Sequence, residues 1–167
     1  PLHGGVRFFT HPDGTQIHTV ASGSGPTVVL AHGFAIDSGE WNVVAADLVS
    51  RGCRVIAFDQ RGHGRSTIGR DGIGSAQMAS DYAAVLAAYD VTDAVLVMHS
   101  MGGFVGVRFL LENPELVARH LRGAMLVATF AGDVNRDNPQ NRLQIPLIRS
   151  GILPRLVATD LVGKPFA

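Results

Sequence analysis

The sequence predicts an α/β fold, a mostly parallel sheet with helices on both faces, on two observations. Short runs that are apolar throughout alternate with segments of helical apolar spacing, and glycine-rich loops stand where those runs end. Alternation of this kind, with buried strands, means a mostly parallel sheet, and such sheets bind ligands at the carboxyl ends of their strands.

The opening departs from the alternation. Val6–Thr10 and Gln16–Ala21 are β-rich and flank His11-Pro12-Asp13-Gly14, whose Asp-Gly predicts a tight antiparallel hairpin. Thr27–Ala31 is the first all-apolar run, as expected of a strand covered on both faces. Helical spacing follows over Trp41–Ser50, ended by Arg51-Gly52, and a second apolar strand, Arg54–Phe58, leads into DQRGHGRS at 59–66. The next helix spans Ser75–Tyr89, with Met78, Tyr82, Val85, Leu86 and Tyr89 on one face and Ser75 placed to cap it. Strand Ala94–Met98, helix Gly102–Asn113 and strand Gly123–Phe130 complete the pattern, with Pro114 stopping the helix. The βα rhythm is lost after about residue 130. The chain therefore divides into a core at 1–130 and a segment at 131–167, rich in proline and expected to form short helical pieces.

Composition narrows the function classes. The chain has 167 residues, the size of one ordinary domain, with 14 Lys plus Arg against 14 Asp plus Glu. No basic stripe or like-charge block points to nucleic acid or an anionic membrane, so a neutral small-molecule substrate fits best. The single Cys53 cannot close an internal disulfide, and His, Cys and carboxylate spacings give no metal motif. No apolar run approaches the roughly 18 residues that span a bilayer, and PLHGGVRFF lacks a signal peptide's pattern, so a cytoplasmic protein is expected, although the chain begins at Pro1. Gly62-His63-Gly64 and Gly163-Lys164 both lack the partners of a nucleotide-binding loop, and no cofactor is implied.

Three loops carry the chemistry: His32-Gly33-Phe34 after one strand, Asp59–Ser66 after the next, and His99–Gly103 after the third. At the last, VLVMHSMGGF turns from strand to helix at Ser100. Such a turn raises the hydroxyl above the sheet, with helix N–H groups behind it that favour developing negative charge.

HGF at 32–34, DQRGHGRS at 59–66 and HSMGG at 99–103, in this order and spacing, resemble the α/β-hydrolase family, with its serine carboxylesterases and lipase-like hydrolases. The resemblance covers the chain through about residue 130. It implies attack by Ser100 Oγ on an ester-like carbonyl, with the oxyanion held by the backbone N–H groups of Phe34 and Met101 and with no cofactor. A serine at the elbow argues against the dehalogenases and epoxide hydrolases of similar fold, whereas perhydrolases and carbon–carbon bond hydrolases keep it. Two departures stand out. The family elbow is G-x-S-x-G, yet Met98 occupies the first position, so its side chain needs a displaced helix or a neighbouring gap. The family order is serine, acid, histidine, yet no histidine follows His120. Asp133 stands where a minority of members carry the acid.

The expectation is thus the N-terminal part of the fold, ending after about the sixth strand with the start of a cap at 131–167. The histidine would lie beyond Ala167, and the chain alone would lack turnover. His32 is expected to brace the oxyanion loop, His99 to pack beside its strand, and Asp59 with Arg61 to form a structural pair fixing the 59–66 loop. The alternative function is a ligand-binding or sensory module that keeps the pocket without turnover.

Overall fold

The computed structural model describes residues 4–130; the segment expected to begin a cap, with Asp133, lies outside the described residues. Six strands form one sheet there: β1 (Gly5–Thr10), β2 (Gln16–Ser22), β3 (Thr27–Ala31), β4 (Arg54–Phe58), β5 (Ala94–His99) and β6 (Leu121–Val127). Their spatial order is β1-β2-β4-β3-β5-β6. β1 and β2 are antiparallel, as is β2 against β4, and every pairing among β4, β3, β5 and β6 is parallel. The helices are α1 (Asn42–Ser50), α2 (Ser75–Ala88), α3 (Met101–Glu112) and α4 (Pro114–His120), with a 3₁₀ turn at Ser38–Trp41.

The all-apolar strands are central because side chains alternate between two covered faces. On one face Val29, Ala31, Ile56, Phe58, Leu96 and Met98 pack with Tyr82, Val85 and Leu86 of α2 and Val105 and Phe109 of α3. On the other, Leu30, Val55 and Ala57 meet Trp41 and Ala45, with Leu48 and Val49 of α1 beside them. The sheet thus carries the two-sided covering that the alternation predicts.

Several boundaries differ from the sequence reading, each for a local reason. Gly74 caps α2 instead of Ser75, whose hydroxyl accepts from Arg108 Nη1 at 2.8 Å. Pro114 does stop α3, but it also occupies the first turn of α4, where its missing N–H costs nothing. β6 runs from Leu121 to Val127 rather than Gly123 to Phe130 and breaks at Ala128, whose φ is 45°. In the hairpin only Gly14, with φ 89°, takes the left-handed conformation; Asp13 instead accepts the Thr15 N–H at 2.9 Å.

Candidate active site

β5 ends at His99, and α3 begins at Met101. One residue makes the turn, and Ser100 does so at φ 49° and ψ −114°, a conformation that costs a non-glycine residue about 1–3 kcal/mol and persists only where its surroundings fix it. They do so through three bonds: Ser100 N–H to Val127 O at 3.0 Å, Phe104 N–H to Ser100 O at 3.1 Å, and the Thr129 hydroxyl to Ser100 O at 2.6 Å. The half-buried Ser100 makes no side-chain capping bond to α3. A serine retained only as a cap would spend its hydroxyl there.

The glycines after it measure how tightly the turn is packed. A Cβ on Gly102 would lie 2.6 Å from His32 O and 2.9 Å from Ala31 O, and one on Gly103 would lie 2.5 Å from the Thr129 side chain. Helix α3 therefore starts against the end of β3, where the His32-Gly33-Phe34 loop leaves the sheet. Tyr82, fully buried, donates to Gly102 O at 2.8 Å, and burial holds its phenol far above its ordinary pKa, as a neutral donor. Met101 is the first residue of α3, so its N–H has no partner within the helix.

Met98 finds the gap its position demands. A Cβ on Gly106 would lie 2.0 Å from Met98 Sδ, so the glycine missing at the first elbow position reappears on the facing helix, and the thioether fills its place. Met98 is wholly buried and packs in the main cluster.

The His32-Gly33-Phe34 loop is held at both ends of Gly33. His32 Nδ1 lies 2.7 Å from Gly33 O, and His32 Nε2 accepts the Gln60 N–H at 2.9 Å. Those two bonds define the neutral tautomer with hydrogen on Nδ1, and burial keeps the ring's pKa below its ordinary value. On the other side, Gly33 N–H donates to Glu40 Oε2 at 3.1 Å. Glu40 Oε1 lies 2.5 Å from His99 Nδ1, a close polar approach out of line for a hydrogen bond. The Trp41 ring meets His99 edge-on at 6.4 Å. His99 thus does pack beside its strand, but against a carboxylate. Phe34 is 54% exposed and lies edge-on to His63, an apolar ring beside the loop.

Asp59 and Arg61 do not pair with each other, contrary to the sequence expectation. Asp59 accepts the Ser38 N–H at 2.8 Å and the Arg65 N–H at 2.9 Å, and lies 2.9 Å from His18 Nδ1. Burial opposes its ionisation, but bonds from Ser38 and Arg65 outweigh that and hold its pKa below the ordinary value. Arg61, completely buried, makes a two-point bond to Asp81 at 2.7 Å each, a third to Asp13 at 2.9 Å and a fourth to Gly72 O at 2.8 Å. The bonds to Asp81 come first among the causes that raise its pKa. Asp13 is held well below its ordinary pKa, first by the Thr15 amide and then by Arg61.

Each described histidine is engaged away from the Ser100 hydroxyl. His11 meets Asp13, His18 meets Asp59, His63 lies near Arg61 O, and His120 near Val91 O. A cleft of about 370 Å³ lies between β1, β2 and the 3₁₀ turn, lined by His18, Asp37, Asp59 and Arg65, and its walls include none of Ser100, Phe34 and Met101. The sequence reading missed Glu40 and Gly106, and it placed Tyr82 only on the apolar face of its helix, without its bond to Gly102 O. Gly106 carried a signal, an isolated glycine inside a helical pattern, which usually has a packing reason.

Residues 26–151 match the alpha/beta hydrolase fold family, and the chain belongs to it. A non-heme haloperoxidase of Rhodococcus erythropolis is 40% identical over 129 residues, 77% of this chain and 44% of that protein. An esterase from Exiguobacterium antarcticum superposes with a TM-score of 0.77 at 27% identity, over 89% of this chain and 56% of the esterase. A bromoperoxidase from Bacillus anthracis, 23% identical, shares the fold with a TM-score of 0.78 over 93% of this chain and 58% of its own. The chain spans less than half the length of the haloperoxidase it matches.

Proposed function

We propose that the full-length protein is a serine hydrolase that cleaves small carboxylic esters through an acyl-enzyme on Ser100. The observation that carries this reading is the Ser100 backbone, held at φ 49° between strand and helix with its hydroxyl left out of the helix cap. Strain kept in place by three bonds and two glycines is costly for a structural serine and suits a nucleophile. In the first step Ser100 Oγ attacks the ester carbonyl and passes its proton to a general base. The negative charge gathers on the carbonyl oxygen, between the amides of Met101 and Phe34. The ester C–O bond then breaks, and the alcohol leaves with the proton. Water repeats the sequence on the acyl group and frees the serine.

Because every described histidine is engaged elsewhere, the base and its orienting acid are assigned to sequence of the full-length protein outside the described residues, with Asp133 a candidate acid. The name of the haloperoxidase relative favours a second outcome for the same intermediate, in which hydrogen peroxide replaces water and a peracid leaves.

Stopped-flow mixing of the full-length protein with p-nitrophenyl acetate is expected to release a burst of about one p-nitrophenolate per Ser100, lost in Ser100→Ala. Residues 1–167 alone are expected to give neither burst nor turnover. A full-length protein that binds ester analogues but never acylates would instead be the ligand-binding module.

A further inference from the structure

We propose that Glu40 is a positioning residue that aims the Phe34 N–H at the oxyanion, an assignment that rests on the Ser100 reading above. The aim of that N–H is set by the Gly33–Phe34 peptide plane, because in a trans peptide the N–H points opposite to the preceding carbonyl. Gly33 is the least restrained residue that could stand there. A Cβ there would lie 3.0 Å from His99 Nδ1, so a larger residue would press on that ring. The freedom of Gly33 is therefore removed from outside. His32 holds the carbonyl at 2.7 Å, and Glu40 Oε2 holds the N–H at 3.1 Å. Glu40 thus holds the peptide plane before Gly33 and His32 the plane after it, so the two Gly33 torsions that aim the Phe34 N–H are fixed.

Glu40 is itself firmly placed. It sits in the 3₁₀ turn Ser38–Trp41, which Asp37 caps through Gly39 N–H at 2.7 Å. Asp59, on the loop after β4, anchors the same turn through Ser38 N–H at 2.8 Å. One carboxylate thus ties the oxyanion loop to the elbow through His99 and stands on a turn fixed by the third glycine-rich loop. All three loops of the site meet at the Ser38–Trp41 turn that carries Glu40.

The carboxylate also carries a hazard. A fixed negative charge one residue from a forming oxyanion opposes the reaction unless something answers it. His99 Nδ1, 2.5 Å from Oε1, is the group in place to do so. Glu40 and His99 should therefore act as a unit, and their substitutions should not add.

The test uses the full-length protein. Losing an oxyanion donor outright costs about 10²–10³ in turnover, so a donor that has lost its aim in Glu40→Ala is expected to lower kcat by roughly 10–100-fold, with KM within about threefold. Glu40→Gln keeps an oxygen for Gly33 N–H and is expected to stay within about fivefold of the parent. His99→Leu leaves the Glu40 charge unanswered and lowers kcat, and adding Glu40→Gln to it is expected to restore much of the loss. A merely structural Glu40 would not show that rescue. Amide hydrogen exchange at Gly33, read by NMR, is expected to quicken in Glu40→Ala and stay slow in Glu40→Gln. Unchanged kcat in Glu40→Ala, or unchanged Gly33 exchange, would overturn the assignment. Absence of acylation in the parent would overturn the Ser100 reading, while Gly33 exchange would still decide the clamp.

Discussion

The loop after β4 and the turn after β5 are both glycine-rich and both reach the carboxyl edge of the sheet, yet they are held in opposite ways. In the 59–66 loop the side chains are committed. Asp59 binds two amides, Gln60 binds His32 at two points, Arg61 binds two carboxylates and a carbonyl, and the Ser66 hydroxyl donates to Asp59 O at 2.6 Å. At the elbow the fixing is done by backbone bonds, by the Thr129 and Tyr82 hydroxyls reaching in from outside, and by missing side chains at Gly102, Gly103 and Gly106. Ser100 alone is left with strain in its backbone and a hydroxyl that neither caps nor braces. A loop that spends its polar side chains on its own shape is a support, whereas one that keeps a polar atom in reserve at a strained residue is equipped for chemistry.

That contrast can be broken from the supporting side first. Arg61→Met removes the cation and leaves the Asp81 carboxylate buried without its partner, which is expected to cost about 3–5 kcal/mol in urea unfolding. A loss under about 1 kcal/mol would mean that water reaches Asp81 and that the network is less dry than its burial implies.

On the elbow side the expected effects come from volume. Gly106→Ala drives a Cβ into the Met98 thioether and is expected to cost about 1–3 kcal/mol. Met98→Ala opens a cavity and costs about 2–5 kcal/mol by itself. The double variant should lose less than the sum, because each change makes room for or fills the other. Strict additivity would show that the two side-chain positions do not share that space. Met98 is on this account a fitted residue, not a strained stand-in for glycine, so shortening it should not improve catalysis.

The smallest effect is a pH dependence. His32 is held neutral in the folded protein, chiefly by burial, with its pKa lowered from 6.5. The unfolded chain therefore takes up this proton first. Stability from His32 is complete above pH 6.5 and is lost as pH falls toward the lower folded value. Urea midpoints measured from pH 8 down to pH 5 should fall, and His32→Phe should flatten that slope. Midpoints that rise on acidification would mean that the ring is charged in the folded state and that its bond from Gln60 N–H is absent.

The strands themselves were legible because they rest on local patterns, whereas the order β4-β3-β5, with β3 between its two successors, was not. All-apolar runs at Thr27–Ala31 and Arg54–Phe58 read as buried strands, and the chain order of HGF, DQRGHGRS and HSMGG placed three loops at one edge. What stayed hidden depends on approach between distant segments. Asp13 and Asp81 lie 48 and 20 residues from Arg61, so no spacing rule could pair them with it in place of the nearby Asp59. Glu40 reads in the sequence as one more polar residue before a helix, and only the 3₁₀ turn brings it between Gly33 and His99. The partner of Met98 was visible as an odd glycine, but its meaning required knowing that α3 faces β5 at that height.

The central claim is that Ser100 is the reserved nucleophile, and covalent capture tests it most directly. Full-length protein treated with a p-nitrophenyl phosphonate ester should gain the mass of one phosphonyl group, mapped by peptide sequencing to Ser100, and Ser100→Ala should gain none. Labelling that persists in Ser100→Ala, or maps to another residue, would contradict the account.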